Sequence, residues 1–294
     1  MMTIRNYVRA KSLEEAYELN QKRSSRIIGG MVWMKMMNTN VGTAIDLCDL
    51  VAVSVHRQGG ISLRCNLPYL PTDGRNLAVK AAEAFFRAAD LENPGLNINI
   101  KKIIPVGAGM AGGSTDAACV LRLLNRAFGM PLCDKKLAET ALALGADVPF
   151  CLRGGTALAK GVGEKLKVLK PMPDCFFVVA KPNFSVATKD AFQLYDRQPA
   201  QRYPASAALL EGLERGDLQG VADHLYNALE GPVGGEKPLI LRLRESLLEN
   251  GALGARMTGS GATVFGLFAE AAEAETACLA LRRAGYTAIT ATPI

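Results

Sequence analysis

Histidine and aromatic residues are scarce in this sequence. Its 294 residues include two histidines, and phenylalanine, tyrosine and tryptophan together account for 6%. Neither His56 nor His224 has another ligand type nearby at metal-binding spacing, which argues against a zinc site and a Ser-His-Asp triad. Few aromatic side chains also argue against a surface that stacks nucleic-acid bases. The sequence therefore disfavours a zinc enzyme, a serine hydrolase and a nucleic-acid-binding protein.

Long apolar runs and paired cysteines are also missing. The longest apolar stretches, such as IIPVGAGMAG and CFFVVA, are far shorter than the roughly 20 residues of a membrane helix. The first residues carry frequent charges and no apolar segment of the kind found in secretory signals. The seven cysteines contain no C-x-x-C pair, which is typical of reduced core cysteines. We therefore expect a cytoplasmic protein that contacts no membrane.

The composition is that of an ordinary globular chain. Hydrophobic residues make up 49% and charged residues 21%, and the length is sufficient for two domains. The net charge is +6, but lysine and arginine are scattered among 28 acidic residues. This distribution predicts a solvated surface that mildly attracts anionic small molecules such as nucleotides, and no nucleic-acid partner.

Strands and helices alternate without a regular βαβ rhythm, which favours an α+β fold in two lobes. The patterns after residue 50 predict strands at VAVSV, ISLRCNL, LNINI, FFVVAKP, the two sides of RMTGSGATVFGLF, and YTAITAT. Helices are predicted at NLAVKAAEAFFRAADL and at about residues 114–128, 135–144, 205–215, 237–250 and 269–284.

A glycine-rich loop between a strand and a helix is the most informative segment. It lies within IIPVGAGMAGGSTDAACVLRLLN, where small residues allow the backbone to approach a ligand closely. Ser114, Thr115 and Asp116 are each able to cap the following helix. Free amides and the positive end of a helix dipole attract anions, so we expect this loop to bind phosphate. A turn that binds nothing is the alternative.

Spacing tests which phosphate loop this is. A Walker A loop would need lysine where Gly113 stands, so that motif is absent. Gly107, Gly109 and Gly112 match the dinucleotide-binding pattern G-x-G-x-x-G. However, FGMPLCDKK follows instead of the strand ending in an acidic residue which that fold requires. A dinucleotide-binding domain is therefore a poor alternative.

The pattern that remains resembles the GHMP kinase superfamily. Its motifs are GAGMAGGSTDAA, LGADVPF, GVGEKL, KPNFSVAT, NALE and MTGSGATVF, in this order. The resemblance runs from about Val51 to Ile294. Together the motifs are most similar to the branch that phosphorylates the 2-hydroxyl of 4-diphosphocytidyl-2-C-methyl-D-erythritol in non-mevalonate isoprenoid synthesis. The resemblance implies an N-lobe like ribosomal S5 domain 2 at 51–158, and a ferredoxin-like C-lobe at 159–294. It also implies ATP and Mg²⁺ as cofactors and a small-molecule substrate.

Roles are implied residue by residue. Asp147 corresponds to the catalytic aspartate, although a helix cap is the alternative for this residue. Asn76 and Lys102 fall on the adenosine side, and Thr188 and Phe192 on the substrate side; a helix cap and a core aromatic are the alternatives for Asn76 and Phe192. Ser114 is the candidate Mg²⁺ ligand. The loop that closes over the site contains Gly259, Ser260 and Gly261. The triphosphate loop consists of Pro105, Val106, Gly107, Ala108, Gly109, Met110, Ala111, Gly112, Gly113, Ser114 and Thr115.

The first fifty residues depart from the kinase pattern. The family opens with A-K-[IL]-N-L and a D-G-Y-H turn, and neither motif occurs here. Instead, NYVRAKSLEEAYEL, RIIGGMVWMKMM and TAIDLCDL resemble the start of the FAD-binding subunit of molybdenum hydroxylases. Residues 1–50 are thus predicted to be a foreign strand-helix-strand segment, and the N-lobe to lack its native first strands. A fragment this short is not expected to bind FAD.

The missing motifs affect the expected activity. The family lysine supports the catalytic aspartate and the phosphates, and the tyrosine and histidine hold cytosine. We therefore expect a kinase with weakened turnover. The alternatives are a non-catalytic nucleotide-binding remnant and an FAD-binding fragment.

Overall fold

The computed structural model describes residues 49–56, 59–161, 163, 165–199 and 206–293. Within these ranges the chain forms an N-lobe and a C-lobe, each a mixture of helices and one main sheet. None of the helices in this part of the chain is long and apolar enough to cross a bilayer. The predicted opening segment, its flavin-like turn and the missing first strands fall almost entirely on residues 1–48, outside the described ranges.

The N-lobe is built on a three-stranded sheet. Its strands are β1 (Leu50–Val55), β2 (Ile61–Cys65) and β3 (Leu96–Lys101), in the order β1-β3-β2. β3 is antiparallel to β1 and parallel to β2. Alternate residues of β3 are buried, namely Leu96, Ile98 and Ile100. The two-residue period read from LNINI therefore directs one face of the sheet into the core.

Four helices complete the N-lobe core, and the first two of them contact the sheet. They are α1 (Leu77–Ala89), α2 (Gly112–Ala127), α3 (Asp134–Leu144) and α4 (Val148–Arg153). α1 and α2 pack against each other, and Phe85 and Leu121 are fully buried in the shared core. Burying apolar side chains of this size contributes roughly 1.5–3 kcal/mol each. The core thus holds the first turn of α2, and the loop before it, against a rigid base.

A short hairpin follows the N-lobe core. It consists of β4 (Ala157–Lys160) and β5 (Lys165–Val168), which pair antiparallel. The predicted lobe boundary at residues 158 and 159 lies inside β4 and stays a prediction.

The C-lobe has a four-stranded antiparallel sheet in the order β7-β8-β6-β9. The strands are β6 (Phe176–Lys181), β7 (Gly254–Met257), β8 (Val264–Phe268) and β9 (Thr287–Ala291). Helices separate β6 from β7, and one helix separates β8 from β9, which is the ferredoxin-like βαββαβ arrangement predicted for this lobe. The helices are α5 (Thr188–Asp196), α6 (Ala207–Arg215), α7 (Leu218–Asp223), α8 (Glu230–Glu236), α9 (Pro238–Glu249) and α10 (Ala271–Arg283).

The predicted α+β, two-lobed fold is confirmed. Helices 114–128, 135–144, 237–250 and 269–284 occur within two residues of the predicted ends. Four helices of six to nine residues, α4, α5, α7 and α8, were not predicted. They are too short to display an amphipathic period, so packing against their neighbours determines them.

Candidate active site

The glycine-rich loop connects the end of β3 to the start of α2. We call residues 105–111 the phosphate loop. Its backbone adopts positive φ at Gly107 (62°), Gly109 (68°) and Ala111 (51°), and α2 begins directly afterwards at Gly112. The expectation that Ser114, Thr115 or Asp116 caps this helix is wrong, because Ala111 is the N-cap and no side chain bonds to the free amides. The first amides of α2 thus remain available to an anion.

Two of the three polar side chains at the start of α2, those of Thr115 and Asp116, are directed into the protein. Thr115 Oγ1 donates to the carbonyl oxygen of Ala111 at 3.0 Å, and Asp116 extends into the protein interior. Ser114 is half-buried in the same turn. The helix start therefore presents backbone N–H groups and the Ser114 hydroxyl, which is a suitable surface for phosphate oxygens.

A loop from the C-lobe packs on the phosphate loop. We call residues 258–262, between β7 and β8, the closing loop. Thr258 Oγ1 donates to the carbonyl oxygen of Gly109 at 3.0 Å. A Cβ atom added to Gly109 would lie 2.8 Å from the Gly261 nitrogen, and closer still to the Thr258 carbonyl oxygen. Glycine is therefore required at position 109 by both the close approach and the positive φ.

The segment between β6 and α5 contacts both of these loops. Ser185 Oγ donates to the carbonyl oxygen of Val106 at 3.1 Å, so the segment reaches the phosphate loop. Three residues later, Thr188 Oγ1 and Ser260 Oγ form a hydrogen bond of 3.2 Å, which reaches the closing loop. Three segments that are distant in sequence thus meet at the start of α2.

Asp147 lies at the N-terminus of α4, a helix that packs against α2. Its carboxylate is exposed, does not cap α4, and has no hydrogen bond or ion pair with any residue in the described ranges. One turn later, Cys151 Sγ lies 3.7 Å from Thr115 Oγ1, so α4 packs on the helix that begins the phosphate site. The alternative role of Asp147 as a side-chain cap is not observed, and its carboxylate is free to meet a substrate.

Lys102 lies beneath the phosphate loop, in the protein interior. Its ammonium group donates to Asp49 Oδ2 and, at 2.9 Å, to Asp116 Oδ2. All three side chains are at most 7% exposed. Burial alone would lower the pKa of Lys102, but the charges and hydrogen bonds of Asp116 and Asp49 outweigh it and raise that pKa. Lys102 was predicted to lie on the adenosine side of the site. In the structure its ammonium group is paired with two buried carboxylates.

Asp116 has an unusual electrostatic environment. Burial and, to a smaller extent, the nearby Asp49 charge raise its pKa to about 7, although Lys102 acts in the opposite direction. Its second oxygen, Oδ1, is buried and has no hydrogen-bond partner within the described part of the chain. A carboxyl group in this setting is protonated more readily than an ordinary aspartic acid.

Asn76 and Phe192 are two further predicted site residues, and the structure gives them different environments. Asn76 caps α1 by accepting from the Ala78 amide at 3.0 Å and donates to the Pro71 carbonyl oxygen at 2.8 Å, so its side chain has a structural role. Phe192 on α5 is 52% exposed, which rules out its alternative role as a core aromatic. An exposed aromatic ring beside Thr188 remains suitable for contact with a flat ligand.

The oxygen groups at the site are compatible with Mg²⁺. Among the described residues, no group of three or more His, Cys, Asp or Glu side chains is placed to hold a metal ion. Mg²⁺ in phosphoryl-transfer sites is held by one or two protein oxygens together with substrate phosphates and water. The Ser114 hydroxyl and the free Asp147 carboxylate are oxygen ligands of this type.

Sequence reasoning overlooked several residues that assemble the site. Thr258, Ser185 and Asn227 lie inside recognised motifs but carried no assigned role. Asn227 Nδ2 donates to the carbonyl oxygens of Met257 (2.7 Å) and Gly259 (2.9 Å), which anchors the closing loop. Asp49 had no local signal at all, because it lies 53 positions before Lys102.

Family models match both lobes of this chain. The model of the GHMP kinases N-terminal domain matches residues 76–155, and that of the GHMP kinases C-terminal domain matches residues 209–287. The structure is also similar to a homoserine kinase from Cytophaga hutchinsonii, with a TM-score of 0.70 and 20% identity over 84% of this chain and 85% of that one. Fold and loop geometry thus define a phosphotransferase of the GHMP kinase class.

More similar proteins indicate one branch of that class. A solved 4-(cytidine 5′-diphospho)-2C-methyl-D-erythritol kinase has a TM-score of 0.69 and 36% identity, and the match covers 84% of this chain and 86% of that one. A 4-diphosphocytidyl-2-C-methyl-D-erythritol kinase of Clostridium botulinum is 43% identical over 242 residues, 82% of this chain and 84% of the relative. One from Clostridium perfringens is 42% identical over 76% of this chain and 77% of the relative. The chain belongs to the GHMP kinase family, within its 4-diphosphocytidyl-2-C-methyl-D-erythritol kinase branch. Neither family model extends to residues 1–50, where the molybdenum hydroxylase resemblance stays a prediction.

Proposed function

We propose that this chain transfers the γ-phosphoryl group of ATP to the 2-hydroxyl of 4-diphosphocytidyl-2-C-methyl-D-erythritol, in the cytoplasm. The observation that carries the proposal is the uncapped start of α2, enclosed by the phosphate loop and the closing loop. The substrate is taken from the names of relatives that match four-fifths of the chain.

The phosphate loop binds and orients ATP in this proposal. Amides of the loop and of the first turn of α2 donate to the β- and γ-phosphate oxygens, where the helix dipole also favours negative charge. Thr258 and Ser185 hold the loop carbonyls away from the phosphates by bonding to Gly109 and Val106. Mg²⁺, when bound with ATP through Ser114, neutralises part of the phosphate charge.

Asp147 accepts the proton of the reacting hydroxyl group. The 2-hydroxyl oxygen forms a bond to the γ-phosphorus, and the bond from that phosphorus to the β,γ-bridging oxygen breaks, which releases ADP. The hydroxyl proton passes to the Asp147 carboxylate, which has no other partner among the described residues. Positioning by the two loops supplies most of the rate enhancement in reactions of this kind.

The substrate would approach from the side of α5. Thr188 begins this helix and bonds to Ser260 of the closing loop, and the exposed Phe192 ring lies one turn further along. An exposed ring is able to stack on a pyrimidine base. We place the cytidine end of the substrate against this face.

The test combines the purified chain with ATP, Mg²⁺ and 4-diphosphocytidyl-2-C-methyl-D-erythritol, and detects ADP together with the phosphorylated product by mass spectrometry. Parallel reactions contain homoserine or mevalonate, whose kinases share the fold. Product from the cytidylated substrate alone is expected. Product from homoserine or mevalonate but not from the cytidylated substrate would refute the assignment.

A non-catalytic nucleotide-binding remnant is the second candidate. Its motivation is the absence of the family's lysine and Tyr-His motifs from the first fifty residues. Calorimetric ATP binding without any phosphorylated product would favour it over the kinase.

A further inference from the structure

Asp49 is a buried acid that binds both the Lys102 side chain and the backbone leading into the phosphate loop. It immediately precedes β1, and its side chain is 1% exposed. One carboxylate oxygen, Oδ2, accepts from the Lys102 ammonium. The other, Oδ1, accepts from the backbone amides of Ile103 (2.6 Å) and Ile104 (2.9 Å). A single carboxylate thus binds the chain at three consecutive positions directly before Pro105, where the phosphate loop begins.

Lys102 extends this connection to the other end of the loop. Its ammonium also donates to Asp116, in the first turn of α2. A Cβ atom added to Gly112 would lie only 3.2 Å from Lys102 Nζ, so the ammonium lies directly under the start of the helix. Asp49 and Lys102 therefore connect the residues that enter the loop to the helix turn that leaves it.

We propose that Asp49 is a positioning residue for the phosphate loop, acting through Lys102 and through the amides of Ile103 and Ile104. This inference rests on the proposed ATP site. The carboxylate touches neither substrate nor nucleotide; it fixes the path of the backbone on which the phosphate-binding amides are carried. Lys102 acts in the same way and donates to Asp116 rather than to adenosine.

Three physical arguments support this role. Hydrogen bonds to an ionised carboxylate are stronger than those between neutral groups, and a buried site screens them little. A buried ion that loses its partner is strongly unfavourable, so the cluster holds one arrangement. Between Lys102 and Gly112 the loop has three positive-φ residues and few side chains to fix it, so an external support is needed for a defined geometry.

The test compares Asp49→Ala and Asp49→Asn with a matched control, Asn125→Ala. Asn125 is also buried and also bridges backbone groups, since it donates to Leu132 O and accepts from Leu132 N. It lies nine residues after Asp116 on α2, away from the phosphate loop. The control therefore removes a similar buried polar bridge from the same lobe without touching the loop.

Backbone amide hydrogen exchange of the full chain is the first measurement. Asp49→Ala should speed exchange in the peptide 103–113 by about 10- to 100-fold, because charged acceptors of two amides are lost. Asp49→Asn keeps an oxygen acceptor but loses the charge, so an intermediate increase is expected. Asn125→Ala should change exchange at residues 125–132 and leave 103–113 as in the unsubstituted chain. Equal exchange of 103–113 in Asp49→Ala and Asn125→Ala would overturn the proposal.

Calorimetric ATP binding is the second measurement and separates this inference from the proposed function. Asp49→Ala should weaken ATP binding by about tenfold or more, and Asp49→Asn should recover part of it, while Asn125→Ala binds as the unsubstituted chain does. If the unsubstituted chain binds no ATP, the proposed function fails, and the exchange measurement still decides whether Asp49 positions the loop. Equal ATP affinity of Asp49→Ala and Asn125→Ala counts against the positioning role.

Discussion

The Thr258 hydroxyl donates a hydrogen bond of 3.0 Å to the carbonyl oxygen of Gly109, across 149 positions of sequence. This bond joins the closing loop of the C-lobe to the phosphate loop of the N-lobe. Both lobes thus contribute to the proposed phosphate site.

Thr258→Val removes this hydroxyl and keeps the shape of the side chain. ATP affinity should fall by about fivefold, because a typical intramolecular hydrogen bond contributes about 1 kcal/mol. Calorimetry measures the affinity. The control is Thr276→Val, whose hydroxyl donates to the Ala272 carbonyl oxygen at 2.8 Å on α10, away from the site. Loss of affinity in both variants would point to general destabilisation and contradict the prediction.

Gly109→Ala should separate the two loops. The added methyl group would overlap the Thr258 carbonyl oxygen and the Gly261 nitrogen, so ATP affinity should fall by about 10- to 100-fold. Gly216→Ala is the matched control, since Gly216 has nearly the same φ (69° against 68°) but no atom within 4 Å of the added methyl. We expect this control to lose about 1 kcal/mol of stability and no ATP affinity. Similar ATP affinities in the two variants would exclude the clash as the cause.

Asp147→Asn should lower turnover by about 10²- to 10⁴-fold, because the amide cannot accept the hydroxyl proton. ATP affinity and melting temperature should change little, since the carboxylate is exposed and unpaired within the described residues. Product formation is followed by mass spectrometry. The control, Asp134→Asn, alters an exposed carboxylate at the start of α3 and should leave turnover unchanged. Undiminished product from Asp147→Asn would remove this residue from the mechanism.

Stability should depend on pH through Asp116. The folded chain holds its proton up to about pH 7, whereas the unfolded chain releases it near the ordinary pKa of 3.8. Stability from the protonated carboxyl is therefore present at low pH and is lost as pH rises from about 4 through about 7. Asp116→Asn has no carboxyl proton to lose, so its stability lacks this pH dependence. Between about pH 5 and 8 the melting temperature of the unsubstituted chain should therefore fall relative to that of Asp116→Asn.

Thermal denaturation across this pH range measures the Asp116 effect. Asn125→Ala, which changes no titrating group, should give a difference that stays constant with pH. A constant difference for Asp116→Asn as well would show that this carboxyl does not titrate in the range.

Replacing residues 1–48 with an opening that carries the family's A-K-[IL]-N-L and D-G-Y-H motifs should raise kcat/KM for the cytidylated substrate by about 100-fold. The replacement supplies the family's lysine and Tyr-His motifs, and one charged donor at a phosphoryl-transfer site contributes this order of rate. The same replacement in Asp147→Asn should stay inactive. Equal kcat/KM before and after replacement would show that residues 1–48 of this chain do not limit its activity.

Some of this site was visible in the sequence because its signals are local. The run of small residues before a helix predicted the phosphate loop. The predicted end of α3 at Gly145 is confirmed. The two-residue period of LNINI and the long amphipathic patterns predicted β3 and the major helices. The conformation of a phosphate loop or of a long helix or strand is determined largely by residues close together in sequence. Such elements can therefore be predicted from the sequence.

Other features arise only when distant segments pack together. The sequence by itself determined the family and the α+β fold, and it predicted the phosphate loop and a catalytic role for Asp147. Only the tertiary structure decided that Lys102 is held by Asp49 and Asp116, that Thr258 bonds to Gly109, and that Asp147 is not a side-chain cap. The physical reason is that a buried charge must find its partner in three dimensions, whatever the distance along the chain.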